Sequence, residues 1–360
     1  FNAKTTEWQL SYDGRKNEPV TLPMKFPLLL AQGADGIAVG LSTKILPHNF
    51  CELIDASIKY LKGKKFDLMP DFLTGGLIDV TDYNQGKRGG KVKVRAHIEE
   101  SDKKTLLIKS VPYGVTTSQL MESIVKANDQ GKIKIKKVTD NTAAEVEIQV
   151  DLAPGISPDI TIDALYKFTD CETSISPNAC VIVNHKPEFL GVQELLKLSV
   201  DKTRDLLEKE LQIKLGELQE KWHYTSLEKI FFEEKIYKEL EKKHETWDKV
   251  LEAIDKAFIP FKKQLKREIT REEIIKLTEK PVRRIYKLDI DELNDQIKGL
   301  EADIKQVKHD LNNLVDFAVA YFENLLKKYS KGRERRTEIK EFEVIEAKHV
   351  AIANTKLYVN

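Results

Sequence analysis

One run of apolar residues constrains this chain more than any other feature. Ile290, Leu293, Ile297, Leu300, Ile304, Val307, Leu311, Leu314, Ala318, Tyr321 and Leu325 follow one another at alternating steps of three and four. A repeat of about 3.5 residues keeps one seam along a helix and demands a second helix to cover it. An earlier stripe, Leu207, Leu211, Leu215, Leu218 and Trp222, lies in a stretch that holds no proline between Pro187 and Pro260. At the usual helical rise each of these helices would run roughly 60 Å or more. Between them, residues 247–288 form a small module with Pro260, Pro281 and a capping box at Thr270-Arg271-Glu272-Glu273. Two long helices separated by a small globular insert must return on one another. The pattern predicts an antiparallel coiled-coil arm with a helical knob at its tip.

Upstream, residues 66–189 change period from helical to two. Val92–Ile98 alternates as a half-buried strand, followed by strands at 105–111, 132–138, 145–150 and 181–183. A capping box at Thr116-Thr117-Ser118-Gln119 opens a helix to about Asn128, and a second short helix covers 161–169. The order β-β-α-β-β-α-β predicts an α+β domain with a largely antiparallel sheet. At the start of the chain, Asn49 reads as the N-cap of a helix to about Leu61, with Glu52 at its third position. A length of 360 residues fits this multidomain α+β division, because one core seldom organises so long a chain.

The charge is patterned rather than biased. Lys+Arg 59 against Asp+Glu 58 leaves a net charge of +1, although 32% of residues are charged. That excludes a bulk polybasic or polyacidic chain and points to salt-laced helices. Three cysteines, Cys51, Cys171 and Cys180, form no C-x-x-C pair, which argues against a disulfide framework or structural zinc and fits a reducing compartment. No apolar run approaches the roughly 18 residues needed to cross a bilayer. The chain opens on Phe1 without signal-peptide character and reads as a piece of a longer protein.

Few residues offer chemistry of their own. The glycine cluster Gly33-Ala34-Asp35-Gly36-Ile37-Ala38-Val39-Gly40 is neither G-x-G-x-x-G nor a P-loop. Its plain reading is a tight turn into a buried strand. The functional alternative is close backbone approach to a ligand, with Ile37 as an apolar wedge and Lys25, Lys44 and His48 as its phosphate-tracking flank. Gly86-Lys87-Arg88-Gly89-Gly90-Lys91 is either a solvated hairpin loop or a backbone-phosphate contact. Lys132, Lys134, Lys136 and Lys137 make one sheet face basic, as a solvated edge or a nucleic-acid surface. The seven histidines show no metal-ligand spacing, and G-x-S-x-G is absent.

From Pro27-Leu28-Leu29-Leu30 through Gly36-Ile37-Ala38-Val39-Gly40-Leu41-Ser42-Thr43-Lys44-Ile45-Leu46-Pro47-His48-Asn49 the sequence resembles the A subunit of bacterial type IIA DNA topoisomerases, DNA gyrase and topoisomerase IV. Agreement extends to Tyr12-Asp13-Gly14, Val111-Pro112-Tyr113 and Arg335-Arg336-Thr337-Glu338-Ile339. The resemblance implies a breakage–reunion core in which residues 1–65 end the DNA-gate domain and 66–189 form a tower. It makes 190–246 and 289–330 the coiled-coil arm, 247–288 the dimerising exit-gate tip, and 331–360 a tail. It implies that Ile37 intercalates and bends gate DNA, with Lys25, Gly36, Lys44, His48, Asn49, Lys87, Arg88 and Lys91 binding DNA around it. The family's nucleophilic tyrosine follows an arginine. No Arg-Tyr pair occurs here, so that tyrosine is expected upstream of Phe1, and Tyr12 does not replace it.

The resemblance further implies that this chain binds no cofactor or metal. Mg²⁺ and ATP belong to the partner B subunit, and the assembly is a cytoplasmic, nucleoid-associated, ATP-dependent isomerase. The expected partners are double-stranded DNA, the B subunit, plus a second A subunit. A coiled-coil dimerisation scaffold or DNA clamp without catalysis is the rival reading, and it leaves the Gly36-Ile37 segment without a purpose. A hydrolase using paired carboxylates has only helix-face Asp and Glu in its favour.

Overall fold

Apolar stripes at helical and at two-residue spacing sort the chain into a mixed α+β fold with several small, mostly antiparallel sheets. The computed structural model describes residues 2–280 and 287–350. They divide into two compact units, one of Phe1–Pro23 with Arg204–Ala318, the other of Met24–Thr203 with Val319–Asn360. Residues 1–23, read above with the DNA-gate segment, thus share a unit with the residues read as arm and tip.

The larger unit, Met24–Thr203 with Val319–Asn360, carries two four-stranded sheets. In the first the order is Glu172–Ile175, Val92–Arg95, Leu77–Asp79 and Glu338–Ile339, with the last pair parallel and the others antiparallel. In the second, Ile98–Asp102, Thr105–Ile108, Ile148–Leu152 and Ile135–Asp140 are antiparallel throughout. Helices Thr117–Asp129 and Pro158–Phe168 bury Leu120, Ile124, Ala164 and Leu165 with Leu106, Ile108, Ile148 and Val150. The helix Phe50–Leu61 buries Leu53 and Ile54 with Ile78, Val92, Val94, Leu196, Val200 and Phe322. The capping box at Thr116 has both its bonds, and the Asn49 side chain accepts from the amides of Cys51 and Glu52.

Two strand expectations need correction. Val92–Ile98 is not one strand: it breaks at Ala96-His97, and its halves join different sheets. The Ala96 amide is drawn to the Cys171 carbonyl at 2.8 Å and the His97 amide to the Ser110 hydroxyl at 2.9 Å, which turns the chain between ladders. The lysine strand begins at Ile135, because the Lys132 amide closes the preceding helix onto the Ala127 carbonyl at 3.0 Å. Lys136 and Lys137 are therefore on the strand, Lys132 and Lys134 before it. The strand is a sheet edge, where exposed lysines discourage further pairing.

A clasp holds the two chain segments of this unit together. The buried carboxylate of Asp71 accepts from Asn49 Nδ2 at 2.9 Å and from the amides of Arg336 at 3.1 Å and Thr337 at 2.9 Å. Thr337 Oγ1 accepts from the Phe72 amide at 2.7 Å. Arg335 donates in bidentate fashion to Glu52, at 2.6 and 2.5 Å, and also reaches the carbonyls of Pro70 and Met69. The pairing with Glu52 outweighs desolvation and raises the Arg335 pKa.

In the smaller unit, Phe1–Pro23 with Arg204–Ala318, the two long stripes find each other. Trp222, Leu300 and Ile304 form a buried cluster with Leu215, Leu218 and Ile297, and Trp222 Nε1 donates to Glu301 at 3.1 Å. The first helix, Val192–Glu233, which belongs to this unit from Arg204 on, is 42 residues long, about 63 Å. The second covers its whole apolar pattern, as Lys287–Asn312 and Leu314–Tyr329 with Asn313 between them. At the junction the Asn313 amide keeps the helical bond to the His309 carbonyl at 3.0 Å, its Nδ2 shares that carbonyl at 2.9 Å, and the Phe317 amide bonds the Asn313 carbonyl at 3.0 Å, so the apolar steps continue across it. Helices Trp247–Phe258 and Arg271–Thr278 enclose Leu251, Ile254, Phe258, Ile274 and Leu277 against Leu227, Ile230 and Phe231. The capping box at Thr270 and Glu273 is complete. Pro281 lies outside the described residues.

Asp71→Ala strands three donors in a buried setting, so the larger unit is expected to lose about 3 kcal/mol in urea denaturation. Trypsin is expected to cut at Arg335 and Arg336 in the variant under conditions where the native chain resists.

Candidate nucleic-acid interface

The glycine cluster folds as a hairpin of Ala34–Ala38 and Leu41–Ile45, turning at Val39-Gly40. Gly40 takes φ 75°, which an L side chain resists. Ile37 is 92% exposed and Val39 103% exposed. The plain expectation of a turn into a buried strand holds only at Ile45, since the rest of the ribbon points outward. An apolar pair displayed at the tip of a two-stranded ribbon, where a Cβ on Gly36 would meet nothing closer than Thr43 Cγ2 at 3.9 Å, is the shape a wedge between stacked bases needs.

The predicted cations fall into two groups. Lys44 lies on the hairpin itself, its Nζ 3.0 Å from Asp35. Lys25 is half-buried, with its Nζ 5.7 Å above the Tyr321 ring. Lys87, Arg88 and Lys91 lie on the turn after the short 3-10 segment Asn84–Gly86. Lys87 pairs with Glu194 at 3.1 Å, while Arg88 and Lys91 are exposed. The turn needs its glycines, because a Cβ on Gly90 would come within 2.4 Å of the Tyr83 carbonyl oxygen.

His48 and Asn49 differ from the expectation of surface contacts. His48 is 3% and Asn49 6% exposed. Asn49 is occupied by the helix cap, by Asp71 and by the Arg333 carbonyl at 3.1 Å. His48 Nδ1 donates to the Leu30 carbonyl at 3.2 Å, and Nε2 accepts from the Tyr83 hydroxyl at 3.1 Å. Burial holds its pKa down at about 4, and the same burial pushes Tyr83 up. His48 is thus the neutral link between the base of the Ile37 hairpin and the start of the basic turn. It joins the two groups of predicted contacts from below.

Over residues 1–325 the sequence matches the family of DNA gyrase/topoisomerase IV A subunits. This chain belongs to that family. The A subunit of DNA topoisomerase 4 from Borreliella burgdorferi is 37% identical over 360 residues, all of this chain and 57% of that protein. The DNA gyrase A subunit of Lawsonia intracellularis is 32% identical over 242 residues, 62% of this chain and 29% of that protein. The DNA gyrase A subunit of Metamycoplasma arthritidis is 28% identical over 365 residues, 93% of this chain and 38% of that protein. The chain therefore spans little more than half the length of the first of these relatives and less of the others.

As a gyrase/topoisomerase IV A-family chain, it carries its glycine hairpin beside a second one that sequence reasoning half missed. Strand Cys180–Val183 pairs with Lys186–Phe189 through Asn184-His185, both at positive φ. That dipeptide, between Val-Ile-Val and Lys-Pro-Glu-Phe, was the available turn signal. Asn178, just ahead of this hairpin, bonds the first one at Ser42 and Lys44, a contact no local pattern announces. Tyr12 is fully exposed in the turn Ser11-Tyr12-Asp13-Gly14 of the smaller unit. Among the described residues, no three His, Cys, Asp or Glu side chains gather as a metal site would require, and no helix is long and apolar enough to cross a membrane.

A histidine held neutral by burial destabilises the fold in acid. The unfolded chain takes up a proton near pH 6.5 that folded His48 refuses until about pH 4, so stability is complete above that window and falls as pH drops through it. His48→Gln, which keeps a donor and an acceptor without titrating, is expected to flatten this dependence in urea titrations compared at pH 7 and pH 5.

Proposed function

We propose that this chain is the DNA-bending and exit-gate portion of a type IIA topoisomerase A subunit. The intact enzyme would cut both strands through phosphotyrosyl links, pass a second duplex and reseal. The covalent link conserves the phosphodiester energy, so resealing needs no cofactor, and ATP drives only gating motions. This reading requires three partners: double-stranded DNA, a B subunit that supplies ATP and Mg²⁺ chemistry, and a second A subunit. No residue of this chain is assigned as the nucleophile.

One observation carries the reading: the fully displayed Ile37 on a glycine-bearing hairpin in a chain of this family. Inserting Ile37 between base pairs would unstack one step at a cost of a few kcal/mol, offset by the longer DNA path along the protein. Lys25, Lys44, Lys87, Arg88 and Lys91 would follow the backbone. Gly36 would admit it closely, and His48 and Asn49 would hold the base of the hairpin rather than touch phosphate. The segment 66–189 would serve as tower, the helices of 190–246 and 289–330 as coiled-coil arm, and 247–288 as dimerising tip. A plain scaffold would have no use for an exposed Ile37.

Ile37→Ala is expected to reduce duplex bending, read as end-to-end energy transfer on a doubly labelled duplex. An unchanged bend would remove Ile37 from this role. The double change of Lys87 and Arg88 to Ala is expected to reduce the salt slope of DNA binding by about 2, with bending less affected. An unchanged slope would return the turn to a solvated loop.

A further inference from the structure

A two-stranded ribbon does not hold its own shape in water, so something must keep the Ile37 hairpin upright. Its inner end is anchored. Ile45 is buried, and Gly33, at φ 73°, lies where a Cβ would come 2.6 Å from the Ile45 carbonyl oxygen. Its outer end is free of such support, since a Cβ on Gly40 would meet no atom within 4 Å. Between them, the ribbon is tied sideways to Asn178, and the Cys180 amide donates to Thr43 Oγ1 at 3.3 Å.

The tie to Asn178 has a backbone part, joined by Thr43 Oγ1 at 3.4 Å from the Asn178 carbonyl, and a side-chain part. The Lys44 amide donates to the Asn178 carbonyl at 2.8 Å, and the Asn178 amide donates back to the Lys44 carbonyl at 3.0 Å. The side chain reaches farther out: Asn178 Nδ2 donates to the Ser42 carbonyl at 2.8 Å and lies 3.5 Å from Ser42 Oγ. Ser42 is the residue directly across the ladder from Ile37. Asn178 Oδ1 is buried without a hydrogen-bond partner among the described residues. Turning the amide over would set that oxygen against the Ser42 carbonyl oxygen, so the chemistry fixes Nδ2 toward the ribbon.

We propose that Asn178 is a positioning residue for Ile37, resting on the reading of Ile37 as the DNA wedge. Because the Ile37 side chain is almost wholly exposed, only the attitude of the ribbon decides where it points. The backbone bridge at Lys44 fixes the lower half of the outer strand. The Thr43 hydroxyl, between the Asn178 carbonyl and the Cys180 amide, extends that hold by one residue, and the Asn178 side chain alone carries it to Ser42, the rung that holds the wedge. The ribbon then meets the duplex already oriented, so less binding free energy is spent on ordering it.

Asn178→Ala keeps the backbone bridge and removes the side-chain tie. Asn178→Asp, of the same volume, replaces a donor with an oxygen facing an oxygen, and serves equally should the alanine variant fail to fold. Hydrogen exchange of the full chain without DNA tests the tie directly. Either variant is expected to raise exchange across residues 36–43 by about tenfold or more while leaving the helix Phe50–Leu61 unchanged. Unchanged exchange at 36–43, or an equal rise in that helix, overturns the proposal whatever DNA does.

Energy transfer on DNA then tests the consequence. The variants are expected to lose at least half of the bend on intact duplex at an affinity within about twofold of native. On a duplex already kinked by one unpaired nucleotide they are expected to recover it. Ile37→Ala, run alongside, keeps the two readings apart. If it bends DNA normally, the wedge reading fails while the exchange result stands. If it loses the bend and the Asn178 variants do not, Asn178 is not the positioning residue.

Discussion

The larger unit depends on one buried carboxylate. Asp71 gathers the side chain of Asn49 and the amides of Arg336 and Thr337, groups that lie up to 266 positions away in sequence. A buried acceptor left unpaired is costly, and so are buried donors, so this one residue makes the return of the chain a condition of the fold. Asn49 then does two jobs at once, capping the helix Phe50–Leu61 and meeting Asp71. The Ile37 hairpin enters that cap through Ile45 to His48, and its base is therefore fixed by the same contacts that close the unit.

The hairpin itself inverts the usual economy of burial. A protein that leaves two large apolar side chains fully in water forgoes the free energy of hiding them, roughly 1.5–3 kcal/mol apiece. Single exposed apolar residues are ordinary, but these two crown a ribbon whose lower residues, Ile45 and Leu46, are buried. Beneath it, His48 spends both ring nitrogens on internal partners. The electrostatics of the surface thus fall to the lysines and Arg88, with the histidine left neutral.

Patterns with local causes were legible in the sequence. The capping boxes at Thr116 and Thr270, the Asn49 cap, the long helix after Leu190 and the apolar seam from Ile290 all rest on spacings within a few residues. What escaped depends on distant partners. Strands Leu77–Asp79 and Glu338–Ile339 are too short to show a period and exist because they pair with each other, the first also with Val92–Arg95. The break at Ala96-His97 is set by Cys171 and Ser110, which lie far from it in the sequence. At the candidate interface, Ile37 and the basic turn were readable as motifs. The burial of His48 was not, because its partners Leu30 and Tyr83 give no sign of converging on it.

The parallel strand Glu338–Ile339 has a consequence for how the molecule is made. Its partner, Leu77–Asp79, leaves the ribosome about 260 residues earlier, and the residues between include the Arg204–Ala318 segment of the other unit. At about 5–20 residues per second the nascent chain waits roughly 10–50 s with that sheet edge unpaired. Throughout that interval an open edge and the groups around Asp71 are available to any other extended segment. Glu338–Ile339 is thus the stopper of a sheet begun about 260 residues earlier, and a ribosome that stalls before residue 338 releases that sheet unsealed.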